Sequence, residues 1–295
     1  MYIKREKVSK TIQPYIYLIP GTVIFTIFFI IPVIITFIYG FTNYDGFQKS
    51  LNFVGWKNYV NIFKDEIFFQ SLLNNGKLIL LYNTVGLLIS LALAILLNHA
   101  RFKNFYRMLF FLPVIISTVA VGYMWTYMYD SNTGILNTLF KTVGLDPVSW
   151  LGNFRIAFYS IVTVDIWRGQ GNNMILFLAG LQTIPSELYE ASKIDGANKL
   201  KQLRYITLPL LKPMIAMVIL LTTVGCIKAF DLVFVMTNGG PMHSTELIAM
   251  RVFKDAFGSG GTHYYGYASA EATVLFLITL LVSLVQLKFS RKENN

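Results

Sequence analysis

Apolar residues in this chain gather in long runs, with few of the alternations that mark half-buried strands or surface helices. A helix rising about 1.5 Å per residue needs about 20 apolar residues to cross a hydrocarbon layer about 30 Å thick. Six segments qualify: Tyr15 to Tyr39, Leu78 to Leu97, Met108 to Met128, Ile156 to Leu181, Pro213 to Met236 and Ala268 to Leu287. The pattern predicts an all-α, polytopic membrane protein with six transmembrane helices. No Gly/Ser-rich linker, charge block or repeat divides the chain, so residues 1–295 are read as a single transmembrane domain.

Lys and Arg are expected to collect in cytoplasmic connections. With the N-terminus inside, the cytoplasmic side receives the basic stretch Met1 to Lys10, then Arg101, Lys103 and Arg107, the cluster Lys193 to Lys212, and Lys288, Arg291 and Lys292. The opposite side receives fewer, Lys49 among them, over longer loops, which places both termini in the cytoplasm. The first apolar run is too long for a signal peptide core and lacks a small-residue cleavage site, so it reads as a retained helix. Trp56, Tyr59, Ile62 and Phe63 recur at helical spacing in the first external loop and suggest a short interfacial helix.

Composition supports lipid as the solvent. Hydrophobic residues make up 55% and charged residues 14%, against about 25% charged in an ordinary soluble domain. The net charge of +10 sits between apolar runs, which excludes a basic patch for nucleic acid. Cys226 is the only cysteine, and His99, His243 and His263 are not at ligand spacing, so disulfide and zinc roles are excluded. The only Gly-Lys pair is Gly76-Lys77, and Ser71 stands where a phosphate-binding loop needs glycine. This chain therefore cannot hydrolyse ATP through such a loop.

Between the fourth and fifth segments lies the cytoplasmic loop 183–209. Ser186 is placed to cap a helix whose first turn holds Glu187 and Glu190, where the macrodipole favours negative charge. Asp195-Gly196 supplies a turn, and a second helical run from Ala197 to Tyr205 is expected to be limited by Pro209 and Pro213. Ala191, Ile194, Ala197 and Leu200 form a small apolar stripe on this two-helix knob, a shape suited to a partner's groove.

Glu190-Ala191-Ser192, Gly196 six residues after Glu190, and Ile206-x-Leu208-Pro209 resemble the EAA loop of binding-protein-dependent ABC importer permeases, with Ser192 at the usual alanine. Phe110-Phe111-Leu112-Pro113, the run Phe177 to Pro185, and Thr237-Asn238-Gly239-Gly240-Pro241 are similar to the sugar branch of that family, related to the larger maltose permease subunit. The resemblance implies a type I importer permease fold in the plasma membrane, and a coupling role for Glu190, Ala191, Ser192, Asp195, Gly196, Ala197, Leu208 and Pro209. It also implies a second permease subunit, two ATPase subunits that use ATP-Mg, and an extracytoplasmic solute-binding protein. No cofactor and no enzymatic activity are expected in this chain.

Charged side chains inside a membrane helix cost about 2.5 to 3.5 kcal/mol each on insertion scales, so they usually face a cavity or a partner. Asp165 and Arg168, and Lys228 and Asp231, are spaced i, i+3 and could simply pair within their helices. The resemblance implies instead that Thr118, Asp165, Arg168, Gly169, Asn172, Gly225 and Lys228 line the solute path. Gly169 and Gly171 are expected to interrupt the fourth helix beside a cavity. The external loop 237–267, with Gly239-Gly240-Pro241 and Gly258-Ser259-Gly260-Gly261, is the expected contact for the solute-binding protein. The alternatives are an ion-coupled secondary transporter using Asp165, a receptor or scaffold, and the same importer class carrying glycerol phosphate or an acidic sugar.

Overall fold

The computed structural model describes residues 15–47, 51–98, 100–258 and 264–292. The basic stretch Met1 to Lys10, Lys49, His99, His263 and Ser259-Gly260-Gly261 lie outside the described residues. In chain order the helices are α1 (Tyr15–Tyr39), α2 (Lys57–Ile62), α3 (Glu66–Asn98), α4 (Lys103–Ile115), α5 (Thr118–Met128), α6 (Ile135–Thr142), α7 (Ala157–Gln182), α8 (Ser186–Ile194), α9 (Lys199–Ile227), α10 (Asp231–Thr237), α11 (Ile248–Phe257) and α12 (Tyr265–Lys292). Among the described residues α1, α3, α9 and α12 are long and apolar enough to cross a membrane. Counting the α4–α5 pair as one broken span gives a fifth. α7 has 26 residues, about 39 Å at the α-helical rise, but Asp165, Arg168, Gln170, Asn172 and Asn173 make it too polar to pass the same test.

Several expected elements have different bounds, and the last span is longer than expected, Tyr265–Lys292 in place of Ala268 to Leu287. The second span starts at Glu66, where Asp65 caps it by accepting from the N–H groups of Ile67 (2.9 Å) and Phe68 (3.2 Å). The expected continuous helix Met108–Met128 is two helices bent by 93°, because Ile116 and Ser117 take extended ψ values of 136° and 135° just beyond Pro113. The expected helix Pro213–Met236 ends at Ile227 and restarts at Asp231. Conversely Pro209 and Pro213 do not stop a helix: α9 runs through both, after a π-helical turn at Leu203–Thr207. That wider turn loosens the hydrogen-bond ladder just before Pro209, where the missing N–H would otherwise cost a bond.

One compact unit comprises the described parts of Met1–Lys64 and Val252–Val274. Here the short helix expected around Trp56 forms as α2, with Tyr59 and Ile62 buried. Asn58 donates to the carbonyls of Gly40 (2.9 Å) and Thr42 (2.8 Å), and Phe41 lies among the rings of Phe53, Trp56 and Tyr59. Burial raises the Tyr59 phenol above its ordinary pKa.

The second unit comprises Asp65–Arg251 and Leu275–Asn295. Its centre is α7, which packs against α3, α4 and α9. One apolar cluster gathers Val121, Phe158, Val164, Leu232 and Leu247, and a second gathers Ala94, Met174, Phe177, Leu211 and Val218. α4 crosses α7 closely enough that a Cβ on Gly171 would strike the carbonyl oxygen of Phe110. Only glycine permits that approach, the small-residue packing seen between membrane helices.

Candidate functional site

A cavity of about 400 Å³ opens within the second unit between α3, α4, α5, α7 and α9. The seven residues Thr118, Asp165, Arg168, Gly169, Asn172, Gly225 and Lys228 all line it. Tyr82, Phe158 and Phe230 add aromatic walls, and Asp231 a second carboxylate. Asp165 Oδ1 accepts from Arg168 Nη2 at 3.4 Å, with both side chains partly exposed. The intrahelical pair and the cavity placement are therefore both realised. Among the described residues Arg168 Nε has no acceptor, which leaves this guanidinium donors to spare.

The other charged pair is not intrahelical. Lys228 closes the C-terminus of α9 and Asp231 opens α10, and neither enters an ion pair among the described residues. A break at residues 228–230 thus sets one cation on non-helical backbone and one anion at the first residue of the next helix, both beside the cavity. Irregular backbone of this kind is tolerated at membrane depth where it borders protein or a polar cavity.

Asn75, absent from the sequence-based site, holds this break. Its side-chain nitrogen donates to the carbonyls of Cys226 (3.0 Å) and Ile227 (3.5 Å) in the last turn of α9, where a helix runs short of intrahelical donors. Its oxygen accepts from Ile248 N–H at 2.9 Å. Beside it Asn74 donates to the carbonyls of Ser244 (3.1 Å) and Glu246 (3.0 Å). Farther along α3, a π-helical turn at Tyr82–Gly86 carries Tyr82 and Asn83. Asn83 bonds both Thr222 and Thr223 of α9, and Gln286 donates to Thr223 Oγ1 at 3.0 Å.

Gly169 and Gly171 do not interrupt α7, which is continuous from Ala157 to Gln182. The helix survives because its neighbours supply the packing that glycine forgoes. Gly169 faces the cavity and leaves room for the Tyr82 hydroxyl, whereas Gly171 serves the α4 crossing.

In the loop 183–209, Pro185 and not Ser186 occupies the N-cap of α8, and no side chain caps it. Glu187 lies in the first turn, but Glu190 lies one turn farther on. The end of α8 is better defined. Gly196 has φ +76°, its N–H bonds Lys193 O (3.0 Å), and Ala197 N–H bonds Ser192 O (2.8 Å). This is the 5→2 and 6→1 pattern of a Schellman motif, with glycine where L side chains are strained. Asp195 is its C-cap, and Asn198 then caps α9 by accepting from Lys201 N–H at 2.9 Å. Glu190, Ala191, Asp195, Gly196 and Pro209 are exposed, as are Ile194 and Leu200, while Leu208 packs on the second apolar cluster.

Asp65 also pairs with Arg251 at 2.6 Å, and Arg251 lies 3.9 Å from the fully buried Glu246. His243 and Glu246 meet at 2.8 Å. This ionic cluster ties the start of α3 to the segment 243–251. Asp65, Asn74 and Asn75 precede the apolar run Leu78 to Leu97, so hydropathy alone assigns them to the connecting loop; the signal for them is two adjacent asparagines in a run that continues the periodicity of α3.

A charged cavity among membrane-length helices, joined to an exposed helical knob, defines a membrane-embedded transport subunit. Residues 86–294 match the model for the binding-protein-dependent transport system inner membrane component, and the chain belongs to that family. It is 36% identical over 287 residues to the probable ABC transporter permease protein YurN of Bacillus subtilis, covering 94% of this chain and 96% of that one. It is 34% identical to the diacetylchitobiose uptake system permease protein NgcF of Streptomyces coelicolor, over 88% of this chain and 76% of that one. A chain of a bacterial ABC transporter involved in import of the acidic polysaccharide alginate superposes with a TM-score of 0.85, at 23% identity, covering 98% of this chain and 99% of that one. The fold is shared with that transporter chain.

Proposed function

We propose that this chain is the permease subunit of an ATP-driven importer that carries a sugar or oligosaccharide by alternating access. The observation that carries the reading is the cavity near 400 Å³ that gathers Asp165, Arg168, Asn172, Lys228 and Asp231 with three aromatic rings. Carboxylates and amides accept or donate to hydroxyls, and aromatic faces suit the apolar faces of sugar rings. The uptake of diacetylchitobiose by a relative supports the substrate class.

In this reading α7 is the sixth span, both termini are cytoplasmic, and the protein sits in the plasma membrane as a type I importer permease. It pairs with a second permease subunit. Two ATPase subunits bind ATP-Mg and push on α8 through Glu190, Ala191, Ser192, Asp195, Gly196 and Ala197, and Leu208 and Pro209 pass the motion to α9. An extracytoplasmic binding protein delivers solute at the loop 237–267. Arg168→Ala and Lys228→Ala test the solute path: each is expected to raise the concentration for half-maximal uptake at least tenfold in an assembled complex. Unchanged concentration dependence in both would remove these residues from the path.

A further inference from the structure

Resting on the proposed coupling role of α8, we infer that Gln202, Thr207 and Tyr189 form the brace by which motion of α8 is passed into α9. No motif assigns these three residues. α8 and α9 are separated by the Schellman turn and by Asn198, with nothing within 4 Å of a Cβ built on Gly196. A turn so open would let α8 swing on its own unless side chains held it.

They do so at two levels. Gln202 Nε2 donates to Ser192 Oγ (2.8 Å) and to the backbone carbonyl of Tyr189 (3.2 Å). Ser192 Oγ in turn donates to that same carbonyl at 2.8 Å. One turn farther along α9, the Tyr189 hydroxyl meets Thr207 Oγ1 at 2.9 Å. Gln202 and Thr207 are both buried, while the surrounding outer face of the knob is exposed. Hydrogen bonds shielded from water are stronger and more directional than exposed ones, so these bonds fix angle as well as distance.

The brace lands on a deformable part of α9. Gln202 immediately precedes the π-helical turn Leu203–Thr207, and Thr207 closes it. A π turn has a strained ladder and often marks functional positions in helices. A push on α8 thus arrives on both sides of that turn. Ser192, which departs from the usual alanine of the resembled loop, gains its purpose as the acceptor for Gln202. These are positioning residues; none touches solute.

The test uses the complete complex, purified through a tag on this chain and reconstituted in liposomes. A thiol is placed in the cavity as Gly225→Cys, and its reaction with a membrane-impermeant maleimide is measured with and without ATP plus vanadate, relative to complexes lacking the added thiol. The expected result is a change in labelling rate of at least fivefold on nucleotide trapping when the brace is intact. In Thr207→Val, and in Gln202→Leu as a second variant, that change falls below twofold while ATP hydrolysis and ATPase recovery stay at half or more of the parent. Thr207→Ser, which keeps the hydroxyl, restores the full change.

A full nucleotide response in Thr207→Val and Gln202→Leu would overturn the brace. So would equal behaviour of Thr207→Val and Thr207→Ser, or loss of ATPase recovery in step with the labelling change, which a merely structural role would give. Absence of any nucleotide-hydrolysing subunit from the parent complex would overturn the importer reading itself, and the brace with it.

Discussion

Gly171→Ala and Gly225→Ala separate packing from cavity more cleanly than any other pair of substitutions. Both glycines sit in long helices, so replacing either by alanine gains about 1 kcal/mol of helix propensity. At Gly225 a new Cβ meets nothing within 4 Å. At Gly171 it would strike the carbonyl oxygen of Phe110 and approach Phe111 Cα at 2.8 Å. Those are backbone atoms, so α4 and α7 must separate by about 1 Å to restore ordinary contact, and overpacking of that kind costs about 1–3 kcal/mol. The propensity terms cancel in the comparison, which leaves the overpacking cost of about 1–3 kcal/mol as the expected difference in stability. The assay is thermal unfolding of the purified protein in one detergent, read as the midpoint of each variant. Gly225→Ala is expected to unfold at or above the parent temperature, and Gly171→Ala several degrees below Gly225→Ala. Equal midpoints would refute the close crossing of α4 on α7.

Gly196→Val forces a β-branched residue to φ +76°, a cost of about 1–2 kcal/mol or more, and is expected to abolish uptake and reduce ATPase co-purification while membrane insertion continues. Asn75→Leu leaves Ile248 N–H without its acceptor and takes a donor from Cys226 O, which keeps Ala229 N–H, a loss of about 1–3 kcal/mol that a lowered unfolding midpoint would register. Asp65→Asn keeps the cap of α3 but loses its charge opposite Arg251, so a further drop of about 1 kcal/mol from Asp65→Asn to Asp65→Ala measures the cap alone. Asp130 is held below its ordinary pKa of 3.8 by the backbone and side chain of Thr133 and the backbone of Asn132. A depressed folded pKa contributes stability that is present above pH 3.8 and lost as pH falls through the folded value. The stability gap between the parent and Asp130→Ala is therefore expected to hold at neutral pH and narrow only below pH 4; a gap that grows on acidification would refute the sign.

The membrane spans were legible because hydropathy reports burial in lipid directly, and Tyr15–Tyr39 matches its expected bounds. Breaks within spans were not, since apolar side chains look alike on straight and bent backbone. Pro113 stands near a bend of 93° that forms, whereas Pro209 and Pro213 lie in α9 without stopping it. What decides is the local chain: extended Ile116 and Ser117 in one case and a π turn in the other. Asp165 and Arg168 announced themselves as charges in an apolar run, and the structure brings them to one cavity with Lys228. Lys228 reached it through a helix end that spacing alone read as helix interior. Gln202, Thr207 and Asn75 carry no charge, and polar neutral residues near a span boundary read as ordinary loop or interface.

Energy coupling is the most direct test of the whole account. Uptake of radiolabelled oligosaccharide is measured in proteoliposomes containing the tagged chain with its co-purifying subunits and binding protein, at a fixed membrane potential, with ATP either enclosed or omitted. Uptake that requires enclosed ATP and is indifferent to the potential is the predicted result. Uptake that continues without ATP and follows the potential or an ion gradient would contradict it and return Asp165 to the role of an ion site.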